Sequence, residues 1–392
     1  MRPSVLVSSS RMPFAVQEIR KLGETGHRVY AADTFATAPG NHSRHVRKAL
    51  LTPAPVDDPI AYVDAVADLI AEHQIDRLLP TFEEGFYLAR YRDRLPIDAD
   101  LFCAEFDTLA RLHDKLSFTR MCSELGVRVA PWELATSRVE LDAATRHFTD
   151  GFFARPAFSR GGIDLFTDRG PLAGAVCLGD CSPTTANPWL VQPFLQGEDR
   201  CSFAIAQHGR LVAHVAYVHP RTIDHAGGIV FESITDAEIV EVCRRVVEAT
   251  GYHGQLAFDF IRGADGLITI ECNPRATAGV AMMSAVELAA ALADELVEVP
   301  LVIPSGRRCK ISSAVVREMV RDWRGIPAMS LALLRGGEDL YGTLDDPMPA
   351  LFQLLSYVHV LRYRVMRPEG PKRSKLMAAY LYDLRWNGEP LA

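Results

Sequence analysis

No stretch of this chain is apolar for the length that a membrane span needs. The longest apolar region, Val280 to Ile303, is broken by Glu287, Asp294, Glu295 and Glu298. The start, MRPSVLVSSSRMPF, has an apolar run only from Val5 to Val7, too short for a secretory leader, so a cytoplasmic protein with no membrane partner is expected. Positive charge is not in excess either. With 42 Lys and Arg against 49 Asp and Glu the net charge is −7, so no global field attracts nucleic acid. The eight cysteines include no CxxC pair, and Cys177 and Cys181 have no nearby His or Cys to complete a zinc set. They read as buried, reduced thiols. The first strand–helix turn, Ser8-Ser9-Ser10-Arg11, has none of the glycines that let a backbone approach a dinucleotide pyrophosphate. That argues against a nicotinamide dehydrogenase, and Asp33 reads as a plain strand-end cap.

What is present is an ordinary globular balance, 48% apolar and 23% charged over 392 residues, enough for two to four packed units. SVLV, then FAVQEIRKLGETG with Phe14, Ile19 and Leu22 on one face, then HRVYAAD, spell a βαβ unit. A helix over YVDAVADLIAEHQI, a strand RLLP and a loop carrying Glu83 and Glu84 extend it. Residues 1–110 are therefore expected to form a doubly wound α/β domain. From residue 113 the pattern changes to a helix ending at Gly126, a strand before Ser159-Arg160-Gly161-Gly162, and a run of antiparallel strands. The last ninety residues read as mainly helical.

The hairpin GQLAFDFIRGADGLITIECNPR carries the most chemistry. Asp265-Gly266 is a turn signal, and centring the turn on Asp265 places Asp259 opposite Glu271, with Asn273 on the same face. Two opposed carboxylates repel unless a cation lies between them. Asp, Glu and Asn offer hard oxygen donors, suited to Mg²⁺ or Mn²⁺ bridging phosphates. Arg275, just beyond, is a fork for a phosphate oxygen. A solvent-facing hairpin with idle charges is the plain alternative, opposed by Phe258, Phe260, Ile268 and Ile270. Cys272 points to the other face.

Read in order, Lys115, Arg155, Ser159 to Gly162, Gln192 to Asp199, and the D-F-I-x(4)-G-x(4)-E-C-N-P-R hairpin resemble the ATP-grasp superfamily, in its carbamoyl-phosphate-synthase-like and amino-acid-ligase-like branch. The resemblance covers about residues 1–300. It implies an α/β pre-ATP-grasp domain (1–110), a small lobe with the Gly-rich loop (111–190), a large lobe with the metal hairpin (191–300) and a mainly helical extension (301–392). It also implies ATP and Mg²⁺ or Mn²⁺ as cofactors. Lys115 then stands where a lysine reaches the nucleotide phosphates, and Arg155 where the second such lysine normally lies. Ser159, Gly161 and Gly162 belong to the loop over the β- and γ-phosphates. Gln192, Phe194 and Leu195 lie along the adenine-reading hinge. Glu198 or Asp199 binds the ribose, with spacing favouring Asp199. Asp259, Glu271 and Asn273 match the metal ligands, Arg275 a phosphate-side arginine, and Arg221 a side chain over the transferred phosphate or else a surface arginine.

The implied reaction is carboxylate activation: ATP phosphorylates a small carboxylate, and an amine displaces phosphate to form an amide. The rivals are carbamate or other phosphoryl chemistry on the same fold, and a non-catalytic nucleotide sensor. Glu83 and Glu84 are candidates for binding a substrate amine or are plain helix N-terminal charges. RYRVMRPEGPKRSK reads as a solvated basic surface. The helices around LALLRGG and LFQLLSYVHVLRY either complete the substrate pocket or form a homodimer face.

Overall fold

A computed structural model describes residues 2–160, 164–223, 227–293, 298–321, 325–366 and 379–391. Gly161 and Gly162 lie outside the described residues. Three sheets organise the chain. The first is parallel, in the order β3-β2-β1-β4-β5, formed by β1 (Ser4–Val7), β2 (Arg28–Asp33), β3 (Val46–Leu51), β4 (Arg77–Leu79) and β5 (Asp100–Leu101). Its helices include α1 (Pro13–Glu24), entered through a proline at its first turn, and α2 (Pro59–His73), capped by Asp58. The expected doubly wound domain is therefore present. Strand β3 escaped the sequence reading because VRKALL is an edge strand without a buried face, its residues exposed or half-buried. Helix α3 (Glu84–Arg90) follows β4, and α4 (Phe106–His113) leads into α5 (Lys115–Glu124).

The second sheet, β6-β9-β7-β8, joins β6 (Glu133–Ala135), β7 (Phe152–Pro156), β8 (Phe166–Thr167) and β9 (Trp189–Pro193), with α6 (Arg138–His147) packed on it. The third is built on long antiparallel strands: β10 (Glu198–Gln207), β11 (Arg210–Ile223), β12 (Gly227–Ile234), β13 (Gly254–Gly263) and β14 (Gly266–Asn273). Helix α7 (Ala237–Thr250) backs it, capped by Asp236 and stopped by the left-handed Gly251 at φ 62°. Only residues 194–197 separate β9 from β10, so they are the crossing between the second and third sheets. Gly197 is required there: a Cβ would meet the Arg262 carbonyl oxygen at 2.6 Å.

After α8 (Ala285–Ala291) the chain does more than add helices. Strands β15 (Leu301–Val302), β16 (Arg308–Lys310) and β17 (Glu338–Asp339) join the third sheet, so residues 301–339 belong partly to it. Helices α9 (Ser312–Arg321), α10 (Ile326–Arg335) and α11 (Met348–Met366) supply the expected helical part. The C-terminal residues 379–391 return to the carboxyl ends of the first sheet. Asp383 pairs with Arg11 at 2.8 Å, and the Trp386 amide donates to Glu83 Oε2 at 2.9 Å. No described helix is long and apolar enough to cross a membrane.

Candidate active site

The hairpin β13–β14 forms by a route different from the one its sequence suggests. Gly263 pairs with Gly266, leaving Ala264-Asp265 as a two-residue loop, and Gly266 takes the positive φ of 118°. That register alone would set Asp259 against Ile270. A β-bulge corrects it: Phe260 pairs with Thr269, Asp259 pairs with Glu271, and Ile270 is left unpaired. The expected pairing of the two carboxylates is present, but the bulge creates it, not the turn. Phe258, Phe260 and Cys272 are buried on the opposite side, which fixes the face that Asp259, Glu271 and Asn273 share.

The bulge also frees a carbonyl. Arg155, buried on β7, donates from Nη2 to Ile270 O at 2.8 Å and from Nη1 to Glu271 Oε2 at 2.6 Å. Lys115 approaches the same carboxylate oxygen at 3.5 Å and donates to the Ser159 carbonyl at 2.6 Å. Its position is set locally. Asp114 caps α5 by accepting from the Leu116 amide at 3.0 Å, so Lys115 becomes the first helical residue. A cation there opposes the helix dipole and gains nothing from burial. Asn273 donates to Asp259 Oδ2 at 3.1 Å and to Glu271 Oε1 at 3.4 Å, and accepts from Arg275 Nη2 at 3.1 Å. Arg275 lies over the Phe82 ring at 4.6 Å.

The electrostatics of the two acids diverge. Burial raises both, but Lys115 and Arg155 draw Glu271 well below the usual carboxylate range. Asp259 is pushed up by burial and by the charge of Glu271, with the Cys201 thiol beneath it. Lys115 is itself lowered by burial, against the pull of Glu271. Two donors in this cluster are unspent: Nε of Arg155 and Nε of Arg275 are buried without a hydrogen-bond partner. Other buried arginine Nε donors, those of Arg28, Arg92 and Arg262 among them, are also unspent, but these two flank the carboxylates. Among the described residues no three His, Cys, Asp or Glu side chains converge to hold a metal alone. Two carboxylates and an amide fit a hard cation that takes its remaining ligands from water and phosphate.

The other predicted residues fall into place unevenly. Gln192 is buried on β9 opposite Phe153, and the Phe194 amide donates to Gly151 O at 2.8 Å; with Leu195 they lead into the crossing between sheets. Alternation along β10 separates the two acids next to it. Asp199 shares a face with Cys201, which pairs with Asp259, whereas Glu198 lies on the helix-backed face, 2.7 Å from Arg200. Burial raises Asp199, and the neighbouring Glu198 adds to the shift. Ser159 is half-buried and donates to Pro156 O at 3.1 Å. Arg221 is exposed on β11 and donates to Pro220 O at 3.0 Å; no described contact joins it to the hairpin carboxylates.

Glu83 and Glu84 are not available to a substrate amine. Glu84 accepts from Ser8 Oγ at 2.7 Å and from the Thr81 amide at 3.0 Å. Glu83 accepts from Arg160 Nε at 2.7 Å and from the Trp386 amide. Arg160 is the residue that sequence reasoning passed over. It stands just before Gly161-Gly162 in the sequence, and its Nη2 also donates to Trp386 O at 2.8 Å, so Arg160 joins the first domain to the C-terminal segment. The signal was a lone arginine at a glycine turn, which has no fixed meaning without its acid partner seventy-seven residues earlier.

No protein-family model matches the sequence, and no curated protein matches it. Solved structures do match in fold. An ADP complex of PurK, an N5-carboxyaminoimidazole ribonucleotide synthetase, aligns at TM-score 0.60 with 12% identity, covering 83% of this chain and 87% of that one. The biotin carboxylase domain of Hydrogenobacter thermophilus 2-oxoglutarate carboxylase, with MgADP and bicarbonate, aligns at TM-score 0.58 with 14% identity over 77% and 72%. L-amino acid ligase from Bacillus licheniformis aligns at 0.52 with 16% identity over 72% and 70%. These neighbours are ATP-grasp enzymes, and the chain has the ATP-grasp fold.

Proposed function

We propose that the chain is an ATP-dependent, ADP-forming ligase that activates a small carboxylate as an acyl phosphate and joins it to an amine. The observation that carries this reading is the bulged hairpin. It sets two carboxylates and an amide against Lys115 and Arg155 from other elements, while the Nε donors of Arg155 and Arg275 stay unspent. A transferring phosphoryl group spreads charge over its oxygens, so fixed cations and a metal supply most of the catalysis.

Asp259, Glu271 and Asn273 would hold Mg²⁺, or Mn²⁺, and the ion would neutralise the β- and γ-phosphate oxygens. The neighbour bound to MgADP supports both the nucleotide and the ion. Lys115 and Arg155, now turned to Glu271, would turn to the phosphates once the metal takes that carboxylate. Arg275 would meet the γ-phosphate side through its open Nε. Ser159, Gly161 and Gly162 would cover the phosphates with backbone N–H groups, and Gln192, Phe194 and Leu195 would border the adenine. Of the two acids on β10, the face shared with Asp259 favours Asp199 for the ribose. Arg221 keeps its place only if lobe closure carries it inward.

The substrate carboxylate attacks the γ-phosphorus, the bond to the β-phosphate oxygen breaks, and ADP leaves. The amine then attacks the acyl carbon, loses a proton and expels phosphate. A second reading takes bicarbonate as the phosphoryl acceptor, favoured by the biotin carboxylase neighbours and the bicarbonate in one of them. One experiment tests both: ADP release across a panel of amino acids, other carboxylates and bicarbonate, with hydroxylamine present. A hydroxamate formed from an organic acid supports the ligase. ADP release with bicarbonate alone supports the second reading, and no substrate-dependent ADP release overturns both.

A further inference from the structure

Helix α11 is apolar on two opposite faces. One is packed on the first domain: Phe352 stacks on His42 at 3.3 Å, His359 stacks on Phe35 at 4.7 Å, and Val360 is buried. The other is open, with Leu351, Leu354, Leu355, Val358, Leu361 and Val365 between 43% and 79% exposed. A helix that is apolar nearly all round belongs in an interior, and α11 has only half of one.

The spacing of the open face specifies its cover. Positions 351, 354, 358, 361 and 365 alternate steps of three and four, the a/d seam of a heptad, running about 21 Å along the helix. Such a seam fits another helix. A lipid interface instead takes an amphipathic helix whose reverse face is polar and solvated, and the reverse face of α11 is packed on protein. Residues 367–378, which lie outside the described residues, carry Arg367, Lys372, Arg373 and Lys375 and match an aliphatic seam poorly. Arg362, exposed beside the seam, then sets the direction. Parallel pairing would set two copies of it side by side. Antiparallel pairing about Val358 separates them by about 12 Å and opposes the helix dipoles.

We infer that α11 is the seam of a two-fold homodimer, packed antiparallel with Val358 against the partner's Val358, Leu351 against the partner's Val365, and Leu355 against the partner's Leu361. The interface is isologous and closes on itself. It does not depend on the ligase reading.

The test uses the full chain in a Cys177→Ser background, since Cys177 is the exposed thiol among the eight. Sedimentation equilibrium should give twice 43.3 kDa. Val358→Glu should give the monomer mass with an unchanged far-UV spectrum. Under oxidation Val358→Cys should link to itself. Leu351→Cys and Val365→Cys should link to one another when mixed, and neither to itself. A monomeric wild type throughout the micromolar range, a Val358→Glu dimer, or self-linking Leu351→Cys would each overturn the proposal. So would a monomer that co-sediments with phosphatidylserine vesicles, which would make the face a membrane contact.

Discussion

Two buried charge clusters lie at the edges of the first domain, and they differ in one respect. Around Arg11 every donor is used. Its five N–H groups meet Asp33, Thr34, the Tyr380 carbonyl and both oxygens of Asp383, and its guanidinium lies 3.5 Å from the Phe35 ring centre. One cation faces two carboxylates, and the opposing charges hold Arg11 protonated against burial. Around Glu271 the count stays open: two arginine Nε donors are unspent and two carboxylates face each other. Burial and charge are common to both clusters. Of the two, only the second combines facing carboxylates with unspent donors beside them.

The largest effect should come from breaking the open cluster. Glu271→Gln keeps the shape but gives up one accepted hydrogen bond and the charge that would hold the metal, so ADP release should fall about 10³-fold or more while the far-UV spectrum stays that of the folded chain. Retained activity with Mg²⁺ would show the metal assignment wrong. The closed cluster should respond in the reverse way. Asp383→Ala leaves Arg11 buried with half its counter-charge and should cost about 3–5 kcal/mol in denaturant unfolding. A loss below about 1 kcal/mol would mean that water reaches Arg11 and the cluster is not closed.

Smaller changes sharpen the boundary of the site. Asp199→Ala should raise the KM for ATP about tenfold, as expected for one lost hydrogen bond to a charged group, while Glu198→Ala should leave it within about twofold. Equal effects would remove the face argument. The smallest effect is a pH dependence at Glu83. Burial raises this acid, but Arg160, His113 and Arg275 outweigh that and hold it at about 2, against an ordinary 4.5. A depressed carboxylate contributes stability that is present above pH 4.5 and lost as pH falls toward 2. Glu83→Gln should therefore flatten the acid limb of the stability curve in that window, and an unchanged limb would place its loss in other groups.

The hairpin shows how far local pattern carries. Alternation and the Asp-Gly turn put Asp259, Glu271 and Asn273 on one face, and the order of Lys115, Arg155 and the hairpin gave the fold. The register was reached through a turn one position off, because a bulge leaves no mark in alternation except an unpaired residue, here Ile270. Glu83 and Glu84 looked available because their partners, Arg160, Trp386 and Ser8, are distant in sequence.

The sequence by itself determined most of the elements and the polar face of the hairpin. Those depend on periods of two and 3.6 and on side-chain chemistry, which are local properties. Tertiary structure decided which charges are spent. It closed Arg11 with Asp383 from the far end of the chain, left Arg155 and Arg275 each one donor short, and turned one apolar face of α11 outward. Whether a buried charge is balanced depends on every group within a few ångströms, and chain order does not record that distance.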